Sequence, residues 1–327
     1  MSKQKKIVSC LFPILLLLLM IFIATYANKA SIKKEKPIQS QQMNGKDITY
    51  NGKTYRYNKD LVNVLFLGVD QRGPLTDIGE VGKGGQADEI ILASFDKKKK
   101  TVKFLDISRD SMVKVARHDS HGKFYDFETM QLCLQYAYGK THEESGNLMK
   151  ERVSDVLYGL PIEHYFSMNL DPIPIINDAV GGVKVTLEDD FTFFDPSMKK
   201  GERVTLKGEQ AVYYIWDRRM TVVGNAERME RQKIYMDGWM KNARKAWKKD
   251  ITLPLQIVEQ IRSCIHTDLS DLELAQCVGM GLKCKKENIQ LVSVPGEVTN
   301  DGLHWQFYID EEKLQNILFD MFYQEIN

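Results

Sequence analysis

Ala87-Asp88-Glu89-Ile90-Ile91-Leu92-Ala93-Ser94-Phe95, then Lys97 to Lys100, then Val102-Lys103-Phe104-Leu105-Asp106-Ile107-Ser108-Arg109-Asp110: the reading of this stretch decides the fold. Both apolar runs are short and rich in β-branched and aromatic residues, so they read as strands, and the lysine-rich break reads as a hairpin connection. Folding the chain about Lys98 and Lys99 sets Asp88 opposite Arg109. Ile90, Leu92, Leu105 and Ile107 then share one face, while Ile91, Ala93, Phe95, Val102 and Phe104 share the other. Apolar residues on both faces imply layers on both sides of a sheet. A third strand, Val62-Asn63-Val64-Leu65-Phe66-Leu67-Gly68-Val69, ends in Asp70. Two acids and an arginine therefore converge on one rim, the place in such sheets where anions and metal ions bind.

Outward from the hairpin, helical and strand patterns alternate. Residues 73–85 hold five glycines and a proline and read as a flexible loop. The spacing of Met130, Leu134 and Ala137 predicts a helix over 127–138. Ser145 reads as the N-cap of a helix through Leu157, stopped by Gly159 and Pro161. A strand is expected over 162–168. A short helix capped by Asp171 ends at Gly181-Gly182, and a strand follows over 183–187. Further helices are expected over 206–215, over 226–248 after Asn225, over 255–264, and after Ser270. A strand over 289–294 and a helix over 311–323 close the chain. The alternation predicts an α/β fold.

Ile7 to Tyr26 is almost wholly apolar and long enough for one membrane crossing. Lys3, Lys5 and Lys6 precede it, which keeps the N-terminus in the cytoplasm and sends the rest outside. A cleaved signal peptide ending near Ala24 and Ala27 is the alternative. The expected organisation is a cytoplasmic tail over 1–6, an anchor over 7–27, an extracellular stalk over 28–60 with one short strand at 48–57, and one domain over 61–327. Within that domain, 251–327 complete the core, being too small to stand alone. Hydrophobic residues make up 43% and charged residues 27% of the 327, as in ordinary globular proteins. Lys+Arg is 45 against Asp+Glu 44, so no global field draws nucleic acid. The five cysteines form no metal pattern; Cys264, Cys277 and Cys284 read either as buried thiols or as partners in a disulfide.

Asp70 and Asp88 sit at strand ends, where an aspartate either forms a turn or joins phosphate oxygens and water around Mg²⁺. Early in the long helix, Arg228, Arg231 and Gln232 project together. Arginines there oppose the macrodipole, a cost that a bound anion offsets; alternatively Glu227 and Glu230 neutralise them on a solvated face. Arg218, in Asp217-Arg218-Arg219, is a further candidate for the same anion. No histidine is an evident base.

These residues resemble the motifs of the LytR-CpsA-Psr (LCP) family of cell-wall phosphotransferases. Leu67-Gly68-Val69-Asp70 is similar to its L-G-x-D, Ala87-Asp88 to its R-[SA]-D-T, and Ile107-Ser108-Arg109-Asp110 to its S-[IL]-[PS]-R-D. Tyr136-Ala137-Tyr138-Gly139 resembles the end of A-Y-A-Y-G, and Asn177 to Val183 resembles D-A-L-G-G-V. Leu206-Lys207-Gly208-Glu209-Gln210-Ala211 resembles L-x-G-x-Q-A-L, and Arg228-Met229-Glu230-Arg231-Gln232 resembles R-x-x-R-Q. The likeness covers about residues 60–250 and the anchor.

The resemblance implies a three-layer α-β-α sandwich around a central mixed sheet, preceded by one N-terminal transmembrane helix. It implies an apolar tunnel for a polyprenyl chain and Mg²⁺ held by Asp70 and Asp88. Arg109, Arg218, Arg228, Arg231 and Gln232 would bind a pyrophosphate, with Arg109, Asp88, Arg228 and Arg231 as the catalytic set. The implied activity is Mg-dependent transfer of a phosphorylated glycan, such as a teichoic-acid-like or capsular polymer, from an undecaprenyl-pyrophosphate carrier to peptidoglycan. It would take place outside a Gram-positive-type cell, on a single-pass type II membrane protein. Three cationic positions of the family differ here, as Gln86, Gln131 and Trp216. They motivate a rival reading, a non-catalytic polyprenyl-pyrophosphate binder that regulates the wall; a third reading is a lipid pyrophosphatase.

Overall fold

The computed structural model describes residues 47–326 except 51, 77, 218–224, 251, 271, 275, 278–279, 281–283, 285–287, 301 and 303. The expected tail and anchor, and the stalk as far as residue 46, lie outside the described residues. Among the described residues, no helix is long and apolar enough to cross a membrane.

In chain order the strands are β1 (Ile48–Tyr50), β2 (Lys53–Tyr57), β3 (Leu61–Val69), β4 (Ala87–Asp96), β5 (Thr101–Asp106), β6 (Met112–His118) and β7 (Phe124–Gln131). A 3₁₀ segment (Leu132–Tyr138) leads to α1 (His142–Val156), β8 (His164–Met168), α2 (Pro172–Ala179), β9 (Val183–Thr186), β10 (Arg203–Leu206) and α3 (Glu209–Trp216). Then come α4 (Asn225–Lys249), α5 (Leu253–Ile261), β11 (Ile265–Thr267), β12 (Ile289–Ser293), β13 (Gly296–Asn300), β14 (Trp305–Ile309), α6 (Glu311–Phe322) and β15 (Tyr323–Ile326).

Residues 61–327, expected as one domain, divide between two compact units. The first comprises the described residues up to Asn169 with those of Ile265–Leu269 and Met280–Asn327, and it holds the central six-stranded sheet, in the order β11-β8-β3-β4-β5-β12. β8 and β12 run parallel to their neighbours β3 and β5, whereas β4 is antiparallel to both β3 and β5, so the sheet is mixed. The β4–β5 register pairs Ile91 with Asp106 and Asp96 with Thr101, which is the fold about Lys98 and Lys99 expected from the sequence. Leu65, Leu67, Ile90, Leu92, Leu105 and Ile107 meet Tyr136, Met149, Val153, Leu318 and Phe322 in one core cluster. Val64, Phe66, Ile91, Ala93, Phe95, Val102 and Phe104 are also buried, so both faces of the sheet are covered. Each such side chain contributes about 1.5–3 kcal/mol when fully buried, which fixes the register: a slip of one residue would swap the two faces.

Several expected elements take another form. Residues 48–57 are two strands, not one strand in a stalk; they pair with β15 in a separate three-stranded sheet, with Ile48 and Tyr57 in the core cluster. Residues 127–138 begin as strand β7 and become 3₁₀ helix only after Gln131. The N-cap of α1 is Thr141, not Ser145: Thr141 Oγ1 accepts from Glu144 N at 3.1 Å, and Ser145 is buried inside the helix. Residue 206 ends β10, and the helix starts at Glu209. Asp171 precedes α2 without a side-chain cap bond.

The second unit, Leu170–Cys264 with Ser270–Gly279, contains α2 to α5 and the β9–β10 pair. The Asn177–Val183 motif is its joint. Asn177 Nδ2 donates to Leu206 O at 2.9 Å, and Tyr235 OH donates to Asn177 Oδ1 at 3.1 Å. Among the described residues, no disulfide joins Cys133, Cys264, Cys277 or Cys284 to another.

Candidate active site

The carboxyl ends of β3 and β5 and the start of β4 form one rim of the sheet. Asp70 follows β3 directly. Its N–H donates to Gln86 O at 3.0 Å, and its Oδ1 accepts from Gln86 N at 2.5 Å, so the Asp70 carboxylate is clamped to the strand that brings in Asp88. Gly85 makes this approach feasible. Its φ is +78°, and a Cβ there would lie 2.8 Å from Asp70 Oδ1. β3 and β4 lose register at Gly68/Val69: Gly68 faces Glu89 and Val69 faces Ala87, which leaves Asp88 as the extra residue of a β-bulge. Bulges re-aim side chains, and this one presents Asp88 to Arg109.

Arg109 lies just past β5, in a turn set by Ser111 Oγ donating to Ser108 O at 2.8 Å. Its carbonyl accepts from Cys133 N at 3.0 Å, which ties the turn to the 3₁₀ segment. The guanidinium bonds Asp88 Oδ1 through Nη1. Through Nη2 it reaches Gln86 Oε1 at 2.9 Å and Cys133 Sγ at 3.3 Å. Asp110 Oδ1 lies 3.4 Å from Nε, yet Nε has no hydrogen-bond acceptor among the described residues. Arginine has five N–H donors; Nε is buried beside Asp110, so one Nη1 N–H remains for a ligand. Arg109 keeps 20% of its side chain exposed and Asp88 15%, enough for contact with a bound anion. Burial pushes the Cys133 thiol up to about 11, against the opposing pull of Arg109, so it stays protonated at neutral pH.

Two of the three family departures fall here. Gln86 orients Arg109 where the family carries another cation. Gln131 Nε2 donates to Asp110 Oδ1 at 3.2 Å and to Trp305 O at 2.8 Å, and so fastens the β13–β14 hairpin to the rim. The third, Trp216, is exposed at the end of α3. The rim residues present three carboxylates, Asp70, Asp88 and Asp110, to one guanidinium.

Among the described residues, no cluster of three or more His, Cys, Asp or Glu is arranged to hold a metal ion. Asp70 and Asp88 each have one oxygen engaged, by Gln86 N–H and by Arg109. Two hard carboxylates of this kind suit Mg²⁺, which usually completes its shell with phosphate oxygens and water rather than an all-protein cage.

The glycine-rich loop expected to be flexible is fastened in place. Gly73 O accepts from Asn169 Nδ2 at 2.5 Å, and the N–H groups of Gly79 and Gly82 donate to Lys140 O and Ala137 O at 2.9 and 2.8 Å. The Tyr136–Gly139 motif thus anchors the loop between Asp70 and Asp88. Asn169 and Cys133 are site residues that the sequence reading missed. Asn169 directly follows β8, and position alone would have flagged it.

Arg231 and Gln232 belong to the second unit, and their side chains have a different use. Arg231 is 2% exposed; Nε donates to Tyr214 O at 2.9 Å and Nη2 donates to Asp217 O. Gln232 Nε2 donates to Ile215 O at 3.3 Å. The last carbonyls of a helix have no partner within it, and α3 finds its partners in this arginine–glutamine pair. Arg228 lies on α4, and Arg218 lies outside the described residues.

The likeness to known proteins agrees with this architecture. A relative from Oceanobacillus iheyensis, named polyisoprenyl-teichoic acid--peptidoglycan teichoic acid transferase TagU, is 26% identical over 259 residues, 79% of this chain and 74% of its own. The crystal structure of B. subtilis TagV is 24% identical with a TM-score of 0.53, over 80% of this chain and 97% of the other. A structure of TagT bound to LI-WTA is 20% identical with a TM-score of 0.56, over 86% and 95% of the two chains. These two structures share the fold. The sequence profile of the LytR_cpsA_psr family matches residues 17–322, nearly the whole chain, and the protein belongs to that family.

Proposed function

We propose that the protein transfers a phosphorylated glycan from a polyprenyl-diphosphate carrier, undecaprenyl diphosphate in the family, onto peptidoglycan. The observation that carries this reading is Arg109: a partly exposed guanidinium fixed at a sheet rim by Asp88, Gln86 and Cys133, with one Nη1 N–H left over, beside the clamped Asp70. An acceptor hydroxyl attacks the glycan-side phosphorus. The bond from that phosphorus to the bridging oxygen breaks, and polyprenyl phosphate leaves with the electron pair. Arg109 holds the diphosphate oxygens and stabilises the charge that grows on the leaving phosphate, the largest part of catalysis in phosphoryl transfer. Asp88 holds Arg109; without a metal on it, its second oxygen would instead take the acceptor's proton. Asp70 and Asp88 would hold Mg²⁺ together with phosphate oxygens, and the ion supplies charge neutralisation. Arg218 and Arg228 contact the diphosphate in this reading. Arg231 and Gln232 act indirectly, by securing the end of α3 from which the Arg218 segment continues. Residues 7–27 anchor the chain, with both units outside the membrane and the prenyl chain in the apolar interior of an α-β-α sandwich.

The test is transfer of label from a polyprenyl-diphosphate-linked glycan with Mg²⁺ present. Arg109→Ala and Asp88→Ala should each lower turnover by about 10²–10³-fold. Near wild-type turnover in both contradicts the assignment. Gln86 and Gln131, neutral at positions where the family is cationic, favour one alternative, a non-catalytic binder of the same lipid. Retained lipid without turnover by the wild-type protein would select it.

A further inference from the structure

The β6–β7 hairpin exposes three aromatic rings within four residues: Phe124 at 45%, Tyr125 at 53% and Phe127 at 52%. Three exposed rings side by side on one hairpin mark an interaction surface. The rings are held in fixed positions. The register shift at Arg117/His118 makes Tyr125 the extra residue of a bulge, and the rings of Phe124 and Phe127 sit 4.9 Å apart. The guanidinium of Arg117 lies 4.9 Å over Tyr125, and that of Arg152 lies 5.1 Å over Phe127.

We propose that this hairpin is a binding platform for an extended, uncharged sugar chain, on the acceptor side of the reaction; this rests on the reading that the acceptor is a glycan. Sugar rings offer C–H faces to aromatic rings and hydroxyls to planar charged groups. Both are present here: Arg117 bonds both Asp126 oxygens, at 2.7 and 2.6 Å, and pairs with Glu128 at 2.5 Å, which leaves the other Glu128 oxygen and the outer Nη N–H groups beside the rings. The same pairing disfavours an anionic lipid surface, since it cancels the local positive charge. The apex is also wrong for hydrocarbon. Asp119 closes it by accepting from the N–H groups of His121 and Lys123 at 2.9 Å each, so the tip is polar and the rings flank it. The platform adjoins the candidate site. β6 begins three residues after Arg109, and β7 ends at Gln131, whose amide bonds Asp110. Phe127 is four residues along β7 from Gln131, about 13 Å at the rise of a strand. Trp305, 55% exposed, stands at the base, its carbonyl bonded to Gln131.

The experiment uses the full chain reconstituted in phosphatidylglycerol-containing vesicles, titrated with a β-1,4-linked N-acetylglucosamine hexamer and, separately, with geranylgeranyl diphosphate. The wild type should bind the hexamer. The double variant Phe124→Ala/Phe127→Ala, and Tyr125→Ala on its own, should weaken it by about tenfold or more. All three substitutions are at exposed rings, and diphosphate binding should stay at the wild-type level. Arg109→Ala should do the reverse, so failure of the rim and failure of the platform are separable. No hexamer binding by the wild type, or equal binding by the ring variants, overturns the proposal. So does protection of β7 amides from deuterium exchange by lipid, or by raised protein concentration, in place of the hexamer.

Discussion

Arg109 and Arg231 are both arginines of family motifs, and the chain uses them in opposite ways. Arg109 stands at a sheet rim, partly exposed, among carboxylates and a thiol, with one Nη1 N–H to spare. Arg231 is buried in the helical unit; its Nε and Nη2 donate to backbone carbonyls at the end of α3, and its Nη1 lies 3.6 Å from Asp189 Oδ2. The first keeps its charge available to a ligand. The second spends its donors on the fold, because buried carbonyls without partners are costly. A motif arginine is therefore a ligand contact or a helix cap according to what surrounds it, and residue type alone does not separate the two.

Stability measurements sharpen this contrast. Arg231→Ala strips the α3 carbonyls of their donors and should cost about 3 kcal/mol, read by thermal or urea unfolding. Arg109→Ala, at a pair that keeps 20% and 15% of its side chains exposed, should cost less, about 1–2 kcal/mol. Equal losses would erase the distinction.

Cys133 gives a pH test of the rim. Burial pushes this thiol up to about 11, above its ordinary value near 9. The thiol's contribution is complete below pH 9 and is lost as pH rises towards 11, because the unfolded chain releases the proton first. Two units correspond to about 2–3 kcal/mol. The wild type should lose stability over that range more steeply than Cys133→Ala, and Cys133 should resist alkylation at pH 7 in the folded protein. Rapid labelling there would mean that Arg109 does not sit against a buried thiol.

Gly85→Ala is the gentlest probe. A side chain at φ +78° is strained, and its Cβ would press on Asp70 Oδ1. A loss of about 1–2 kcal/mol is expected, with weaker dependence of turnover on Mg²⁺ concentration. A neutral outcome in both would show that Asp70 is not clamped at the rim.

The sheet was legible because its signal is strong and local. Two apolar runs around four lysines permit one register that buries both faces, and that register delivers Asp88 to Arg109. The bulge that leaves Asp88 unpaired was not legible, since β3 and β4 alternate smoothly on either side of it. Residues 127–138 misled because Met130, Leu134 and Ala137 fit helical spacing while the preceding residues are an exposed strand with no buried face to reveal its period. Arg231 misled because macrodipole reasoning considers only the helix that carries the arginine; its partners are the carbonyls of α3. Likewise, the glycines of 73–85 suggested mobility, while the bonds from Asn169 and to Lys140 and Ala137 depend on residues far away in sequence.

The central claim, that the Asp70–Gln86–Asp88–Arg109 rim receives a lipid diphosphate, is tested most directly by calorimetric titration of the full chain with geranylgeranyl diphosphate and Mg²⁺. The wild type should bind and Arg109→Ala should bind at least about tenfold more weakly, while Arg231→Lys, if folded, should retain wild-type affinity. Undiminished binding by Arg109→Ala would contradict the account.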